Sequence, residues 1–284
     1  MSEQLVSVSR ILSSTRHGFV TTARETSNMA SIKEHVTQIS ADLSKSTDSD
    51  VIQLRALRKA IGFVALGLPF ILVAGENLRD YLIARTSPIE SRIHQGSISA
   101  YFYTGMREVF VGCLFAISVF LICYKGPQHW DAIAAKIAGC SDFLVAIFPT
   151  TEIPRRVPDA YGRFFDAATL FSGSDKPDPA YVGKVHLISA GIFFITLAMM
   201  SLLLFTRSNK TNPTIQKVQR NRIFRICGIV MIVCIIAIGA VKIFLGDAWN
   251  QRTSMVFWLE SIAVVSFGIS WLTKAEVFFG DQSV

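Results

Sequence analysis

The residues of this sequence that could do chemistry stand inside or beside long uncharged stretches. Asp142 lies within one apolar stretch, and His186 and Glu260 lie near the starts of two others. An ionisable group at the centre of a membrane-spanning helix costs about 2.5–3.5 kcal/mol on insertion scales, so we expect such groups to have a use. The candidates for one shared polar pocket are Tyr103, Arg107, Glu108, Asp142, His186 and Glu260.

Hydrolysis is the main catalytic alternative. Ser97 or Ser99 could combine with His186 and an acid, as serine catalysis requires, although the chain has no GxSxG motif. Metal-assisted hydrolysis would need several His and carboxylate ligands, and neither HExxH nor HxxxH occurs. The five cysteines form no CxxC pair. We therefore expect no metal and no cofactor, and we assign no catalytic residue.

Membrane anchoring is the competing explanation for the ionisable groups at the ends of the stretches. Long basic side chains such as Arg107 and Lys242 can extend to the membrane surface without any further role. Short acidic side chains reach less far, so Glu260 and Asp142 fit that explanation poorly. A purely structural ion pair of Glu260 with a basic neighbour is the alternative to a functional role.

The elements that must position these residues are predicted to be membrane helices. Hydrophobic residues make up 51% of the 284 positions, and the mean hydropathy is +0.42. Charged residues make up only 17%, compared with roughly 25% in a soluble domain, and they crowd between the apolar stretches. This distribution favours an integral membrane protein over a soluble enzyme. It also disfavours nucleic-acid binding as the use of the net charge of +7.

Apolar stretches of nearly the right length to cross a bilayer, roughly 20 residues, occur six times. They are residues 57–74, 109–124, 133–148, 185–206, 223–245 and 255–273. The third is the weakest, because Lys136, Ser141 and Asp142 interrupt it. The predicted fold is an all-α integral membrane bundle of about six transmembrane helices. It would occupy residues 55–284 and follow a polar cytoplasmic N-terminal arm, residues 1–54.

The basic residues predict the orientation. Residues 207–225 carry six Lys or Arg and no acid, which places this segment in the cytoplasm by the positive-inside rule. Both termini are then cytoplasmic, and residues 75–108, 150–184 and 246–254 face outward. If residues 133–148 do not cross, five spans remain and the termini lie on opposite sides.

Three segments carry a resemblance to known proteins. They are SISAYFYTGMREVFVGCLFAISVFLICYKG at 97–126, VAIFPT at 145–150 and FWLESIAVVSFGISWLTKAE at 257–276. Together they resemble a group of uncharacterised bacterial multi-pass membrane proteins, in which a Tyr-rich outer segment leads through an Arg-acid pair into the second span. The resemblance implies a six-span fold in the bacterial inner membrane. It implies no activity.

The function expected from these patterns is binding or sensing of an amphiphilic, lipid-like ligand in a polar pocket at the outer face. The first alternative is an intramembrane lipid hydrolase that uses His186 with Glu260 or Asp142. The second is a small-solute transporter with Asp142 at mid-membrane along its path. The expected partners are the lipid bilayer and the lipid-like ligand.

Overall fold

The structure is a computed structural model that describes residues 33, 37–38, 52–83, 94–126, 128–150, 179–208 and 213–280. The predicted N-terminal arm, residues 1–54, lies almost wholly outside these ranges. The chain divides into two units after Gln53, and the second unit, Leu54–Val284, contains nearly all of the described residues.

The regular elements in the described residues are all helical. Seven α-helices, two of them extended by a π-helical turn, are α1 (Ile52–Ile83), α2 (Arg107–Ile122), α3 (His129–Ile147), α4 (Pro179–Met199, extended by Met200–Leu204), α5 (Ile215–Ala240, extended by Val241–Leu245), α6 (Gly246–Thr253) and α7 (Met255–Lys274). A 3-10 turn, Ser99–Tyr103, precedes α2.

Four of these helices, α1, α4, α5 and α7, are long and apolar enough to cross a membrane. Their outer surfaces expose large apolar side chains, such as Ile188 on α4 and Ile236 on α5, at positions where a soluble protein would be polar. The predicted limits of the first stretch were too narrow, because α1 continues past Glu76 to Ile83. The helix also runs unbroken through Pro69.

The contacts of α1 with α2, of α3 with α4 and of α4 with α5 each join the end of one helix to the start of the next, and the start of α5 contacts the chain after α7. These long helices therefore run antiparallel to one another, and the bundle has two ends. We call one end the His186 pole: it holds the ends of α1, α3 and α5 and the beginnings of α2, α4 and α7. We call the other end the Lys274 pole. It holds the beginnings of α1, α3 and α5 and the ends of α2, α4 and α7.

Close helix contacts depend on small residues. A Cβ built on Gly268 of α7 would lie 2.9 Å from both the Gly62 carbonyl oxygen and the Leu66 nitrogen of α1. On α3, a Cβ at Gly139 would lie 2.8 Å from the Ser118 carbonyl oxygen of α2, and the Ser118 hydroxyl donates a hydrogen bond to the Gly139 carbonyl. Small residues allow such approaches between membrane helices.

The aromatic residues near the helix ends do not all face the membrane surface. Trp258 is exposed, as an interface anchor should be, but Tyr124 and Trp271 are each only 1% exposed. Their rings meet at 5.1 Å, and Phe205 packs against Trp271 at 5.5 Å. Aromatic residues near the ends of spans commonly anchor a protein at the membrane interface, and the sequence positions of Tyr124 and Trp271 predict this role for both. That prediction is wrong, because their rings fill the core of the Lys274 pole.

Candidate functional site

The segment 94–104 leads into α2 and collects most of the polar contacts at the His186 pole. It carries the short turn Ser99–Tyr103 and is hydrogen-bonded to α4, α6, α7 and the residues after α3. Five of the six predicted site residues lie in or beside this segment or on a helix that it contacts.

His186 is the most constrained group of the pole. It is 5% exposed, and its Nδ1 lies 2.7 Å from the Phe148 carbonyl oxygen at the end of α3. A carbonyl can only accept, so Nδ1 carries a proton, and Nε2 is an acceptor when the ring is neutral. Ser99 Oγ lies 3.0 Å from Nε2 and donates to it in that state. Ser99 is half-buried, in contrast to the fully buried Ser97.

Glu260, on the second turn of α7, binds the residue that directly precedes the 3-10 turn Ser99–Tyr103. Its Oε2 accepts a hydrogen bond from the backbone N–H of Ile98 at 2.6 Å. Ile98 is buried and directly precedes Ser99. The predicted residues Glu260 and His186 thus act on neighbouring residues of one segment.

Tyr103 also bonds to the chain that follows α3. Its hydroxyl donates to the Thr150 carbonyl at 2.7 Å, two residues beyond the carbonyl that His186 uses. The Arg107 guanidinium lies 4.2 Å from the centre of the Phe102 ring, in a cation–π contact. The neighbouring Glu108 is exposed.

Asp142 is separate from this network. It is 0% exposed within α3, and neither carboxylate oxygen accepts a hydrogen bond from the described residues. Phe148 lies six positions after it, which is about 9 Å along a helix. The structure therefore does not link Asp142 by hydrogen bonds to His186.

Asn250 is a further buried polar residue of the His186 pole, and the sequence did not predict it. Asn250 is 2% exposed; its Nδ2 donates to the Gly96 carbonyl at 3.1 Å, and its Oδ1 accepts from Val256 N at 2.9 Å. Gly96 O also accepts from Phe257 N, and the Phe257 ring stacks on His94 at 4.7 Å. The bonds that Asn250 and His186 donate end on main-chain carbonyls, and such acceptors leave no mark in a sequence.

The group with the clearest chemical capacity is the Ser99–His186–Phe148 chain of hydrogen bonds. A hydroxyl within reach of a neutral imidazole, whose other nitrogen is fixed by an acceptor, is the arrangement of an activated nucleophile. Ser97 differs, because it is 2% exposed and its Oγ accepts from Ala100 N. Among the described residues, no three His, Cys, Asp or Glu side chains are grouped to hold a metal ion. Comparison with protein-family models, curated proteins and solved structures finds no match to this chain.

Proposed function

We propose that the chain crosses the bacterial inner membrane six times, with both termini in the cytoplasm. The course of α2 supports this count, although α2 has only 16 residues. Met106, at its start, lies beside Gly75 of α1, and Tyr124, just past its end, lies under the Arg58 guanidinium. Gly75 and Arg58 are about 26 Å apart along α1, so α2 accompanies α1 over most of a hydrocarbon core.

The weakest predicted span, α3, accompanies α4 in the same way. Phe148, at the end of α3, is bonded to His186 near the start of α4. Gln128, before α3, accepts from Arg207, which follows α4. Because α4 is long and apolar enough to cross, a partner that runs along its whole length crosses with it.

The proposed activity is binding or sensing of an amphiphilic, lipid-like ligand at the His186 pole, which faces outward in this topology. The observation that supports it is the hydrogen-bond network of the segment 94–104. His186 and Glu260 bind this segment from two helices, and the segment itself contributes Ser99 and Tyr103. Exposed apolar side chains adjoin this polar group: Leu187 is 55% exposed and Ile188 is 63% exposed, directly after His186. A ligand with a polar head and an apolar tail matches that combination.

Thermal unfolding in detergent tests this proposal, with monoacylglycerol, lysophospholipid and palmitate as probes. We expect at least one probe to raise the Tm of the unaltered protein. His186→Phe should lose that shift, because it removes both ring hydrogen bonds. His129→Phe makes the same change at a more accessible site on the Lys274 pole and should keep the shift. Equal behaviour of the two variants would count against a ligand at the His186 pole.

Ester hydrolysis is the second candidate, and the Ser99–His186 hydrogen bond favours it. Ser99 Oγ would attack an acyl carbon while His186 Nε2 takes the hydroxyl proton. The imidazolium would return that proton to the departing alcohol, and water would then release the acid from Ser99. Covalent labelling of Ser99 by a fluorophosphonate separates this candidate from a site that only binds.

A further inference from the structure

The Lys274 pole gathers basic side chains from separate helices around one point. Lys274, the last residue of α7, lies within electrostatic range of Arg58 on α1 and of Lys217 and Arg220 on α5. Within the described residues, one carboxylate, Asp131 at the start of α3, interacts with the same lysine. The Arg220 guanidinium also donates a hydrogen bond to the Phe279 carbonyl at 2.7 Å.

Direct contacts place Lys274, Lys217 and Arg58 against one cluster of aromatic residues. The Lys274 ammonium lies 4.9 Å from the centre of the Phe205 ring, and Lys217 Nζ donates to the Phe205 carbonyl at 2.8 Å. The Arg58 guanidinium lies 5.5 Å from the Tyr124 ring, which packs against Trp271. Lys217 and Lys274 thus approach one residue, Phe205, from two helices.

The positive-inside rule alone does not explain this arrangement. That rule requires basic residues on the cytoplasmic side, where water can surround each of them separately. Lys59 and Arg225 meet this description, because both are exposed. Arg220 is only 6% exposed, and Arg58, Lys217 and Lys274 are partly buried. Like charges held together away from water repel one another, and an anion bound between them would relieve that repulsion.

The described acids of the pole do not pair directly with Arg58 or Lys274. Within the described part of the chain, neither Arg58 nor Lys274 forms a salt bridge. Arg58 Nε is buried and has no hydrogen-bond partner there. Asp131 is 3% exposed, and its Oδ2 accepts from Gln128 N, whereas its Oδ1 has no hydrogen-bond partner among the described residues. Asp131 therefore offsets part of the charge around Lys274 without a direct contact to it.

We propose that the Lys274 pole is a binding site for a phosphate group, held by Arg58, Lys217, Arg220 and Lys274. A phosphate offers several acceptor oxygens and carries the charge that balances these cations, and guanidinium groups bind it through paired hydrogen bonds. The group belongs either to an anionic lipid of the adjacent leaflet or to a soluble phosphate compound. The site is independent of the ligand proposed for the His186 pole.

The test compares two charge-matched double variants in nanodiscs. Arg58→Gln with Lys274→Gln removes two cations of the site, and Lys59→Gln with Arg225→Gln removes two exposed cations from α1 and from α5. Affinity for phosphatidylglycerol is measured by native mass spectrometry. Affinity for inorganic phosphate and ATP is measured in discs of phosphatidylcholine alone.

We expect the site variant to bind at least tenfold more weakly than the unaltered protein, and the surface variant to bind within about twofold of it. Retention of phosphatidylglycerol only would identify a lipid headgroup. Binding of phosphate or ATP in neutral discs would identify a soluble source. No binding by the unaltered protein, or equal losses in the two variants, would overturn the proposal.

The single substitution Lys274→Gln gives a test that does not depend on how well the double variant folds. The proposal predicts that this substitution shifts the Tm in opposite directions in two conditions. In neutral discs without phosphate, the substitution removes like-charge repulsion and should raise the Tm. With phosphatidylglycerol or phosphate bound, it removes a ligand contact and should lower the Tm relative to the unaltered protein. The same sign in both conditions would contradict a bound phosphate.

Discussion

Glu260 and Ile98 are joined by a 2.6 Å hydrogen bond between a side-chain oxygen of α7 and a main-chain N–H of the segment before α2. The two residues are 162 positions apart in the chain. This bond fixes the residue next to Ser99, so the position of the Ser99 hydroxyl depends on a helix that is made much later in synthesis.

Replacement of Glu260 tests that bond. Glu260→Leu should lower the free energy of unfolding by about 1–3 kcal/mol, because the N–H of buried Ile98 loses its acceptor. Glu260→Gln keeps an acceptor oxygen and should lose less than half as much. Chemical denaturation in detergent micelles measures both. Equal losses would show that the charge of Glu260, and not this hydrogen bond, is what the fold uses.

Labelling of Ser99 tests its activation by His186. A fluorophosphonate should modify the unaltered protein, and Ser99→Ala and His186→Phe should each abolish the modification. Ser97→Ala should leave it intact, because Ser97 is buried and its Oγ serves as an acceptor for a backbone N–H. Intact-protein mass spectrometry reads out the added mass. Modification that persists in Ser99→Ala would exclude Ser99 as the nucleophile.

Alanine substitution should have opposite effects on stability at two glycines, Gly268 in the contact between α7 and α1 and Gly239 on α5. Gly268→Ala should destabilise the bundle by about 1–3 kcal/mol, since its new methyl group meets main-chain atoms of α1 that cannot move aside. Gly239→Ala meets nothing within 4 Å and should be neutral or stabilise the helix by up to about 1 kcal/mol. Thermal unfolding of the two variants, with the same assay, gives the comparison. A loss in Gly239→Ala would point to a lipid or subunit contact on α5.

Cysteine accessibility tests the six-span topology. Cys123 is exposed at the Lys274 pole, directly after α2. In a variant that keeps only Cys123, a membrane-impermeant maleimide should label permeabilised cells but not intact cells. Gln251→Cys, on α6 at the other pole, should label in intact cells.

The alternative with only α1, α4, α5 and α7 across the membrane gives the same result for Gln251→Cys. It differs at Cys123, because the α2–α3 pair would stay outside and Cys123 would label in intact cells. The pair of measurements therefore separates the six-span topology from both the four-span and the five-span alternatives, each of which leaves Cys123 outside.

Replacement of Asp142 measures how much a buried carboxylate without a described partner contributes to the free energy of unfolding. Asp142→Leu has a similar shape and removes two acceptors that receive no hydrogen bond from the described residues. It should be neutral or raise the free energy of unfolding by about 1–3 kcal/mol. Ser118→Ala, which removes a made bond to the Gly139 carbonyl, should lower it by about 1 kcal/mol. Marked destabilisation by Asp142→Leu would indicate a bound ion at this position, as the transporter alternative requires.

Apolar length was sufficient to place most of the helices, and polarity near their starts was sufficient to select His186 and Glu260. Asp142 was grouped with them because depth along a helix can be read from a sequence, whereas direction around the helix requires the neighbours. Ser99 was noticed only as one of two serines. The second partner of His186 proved to be the carbonyl of Phe148, and a main-chain acceptor has no residue type to reveal it.

Tyr124 and Trp271 show a related limit. Aromatic residues near the ends of spans are usually at the membrane surface, and nothing in the local sequence distinguishes these two from Trp258. What places them inside is the packing of Phe205 from the end of α4 and Phe224 from α5 at the same level. The order of helices around the bundle decides the matter, and that order cannot be read from one stretch at a time.

The contact between Gly62 and Gly268 has a consequence for how the protein is made. In α7, 61% of the apolar 18-residue stretch is buried inside the protein, compared with 28–33% in α1, α4 and α5. The most enclosed of these four helices is also the last of them to leave the ribosome. Until it inserts, α1 lacks one of its two helix contacts described above, and the Ile98 amide at the His186 pole lacks Glu260. The helices made before α7 therefore lack part of their packing surface until α7 joins them, and a chaperone or insertase that covers that surface would be most useful while α7 is being made.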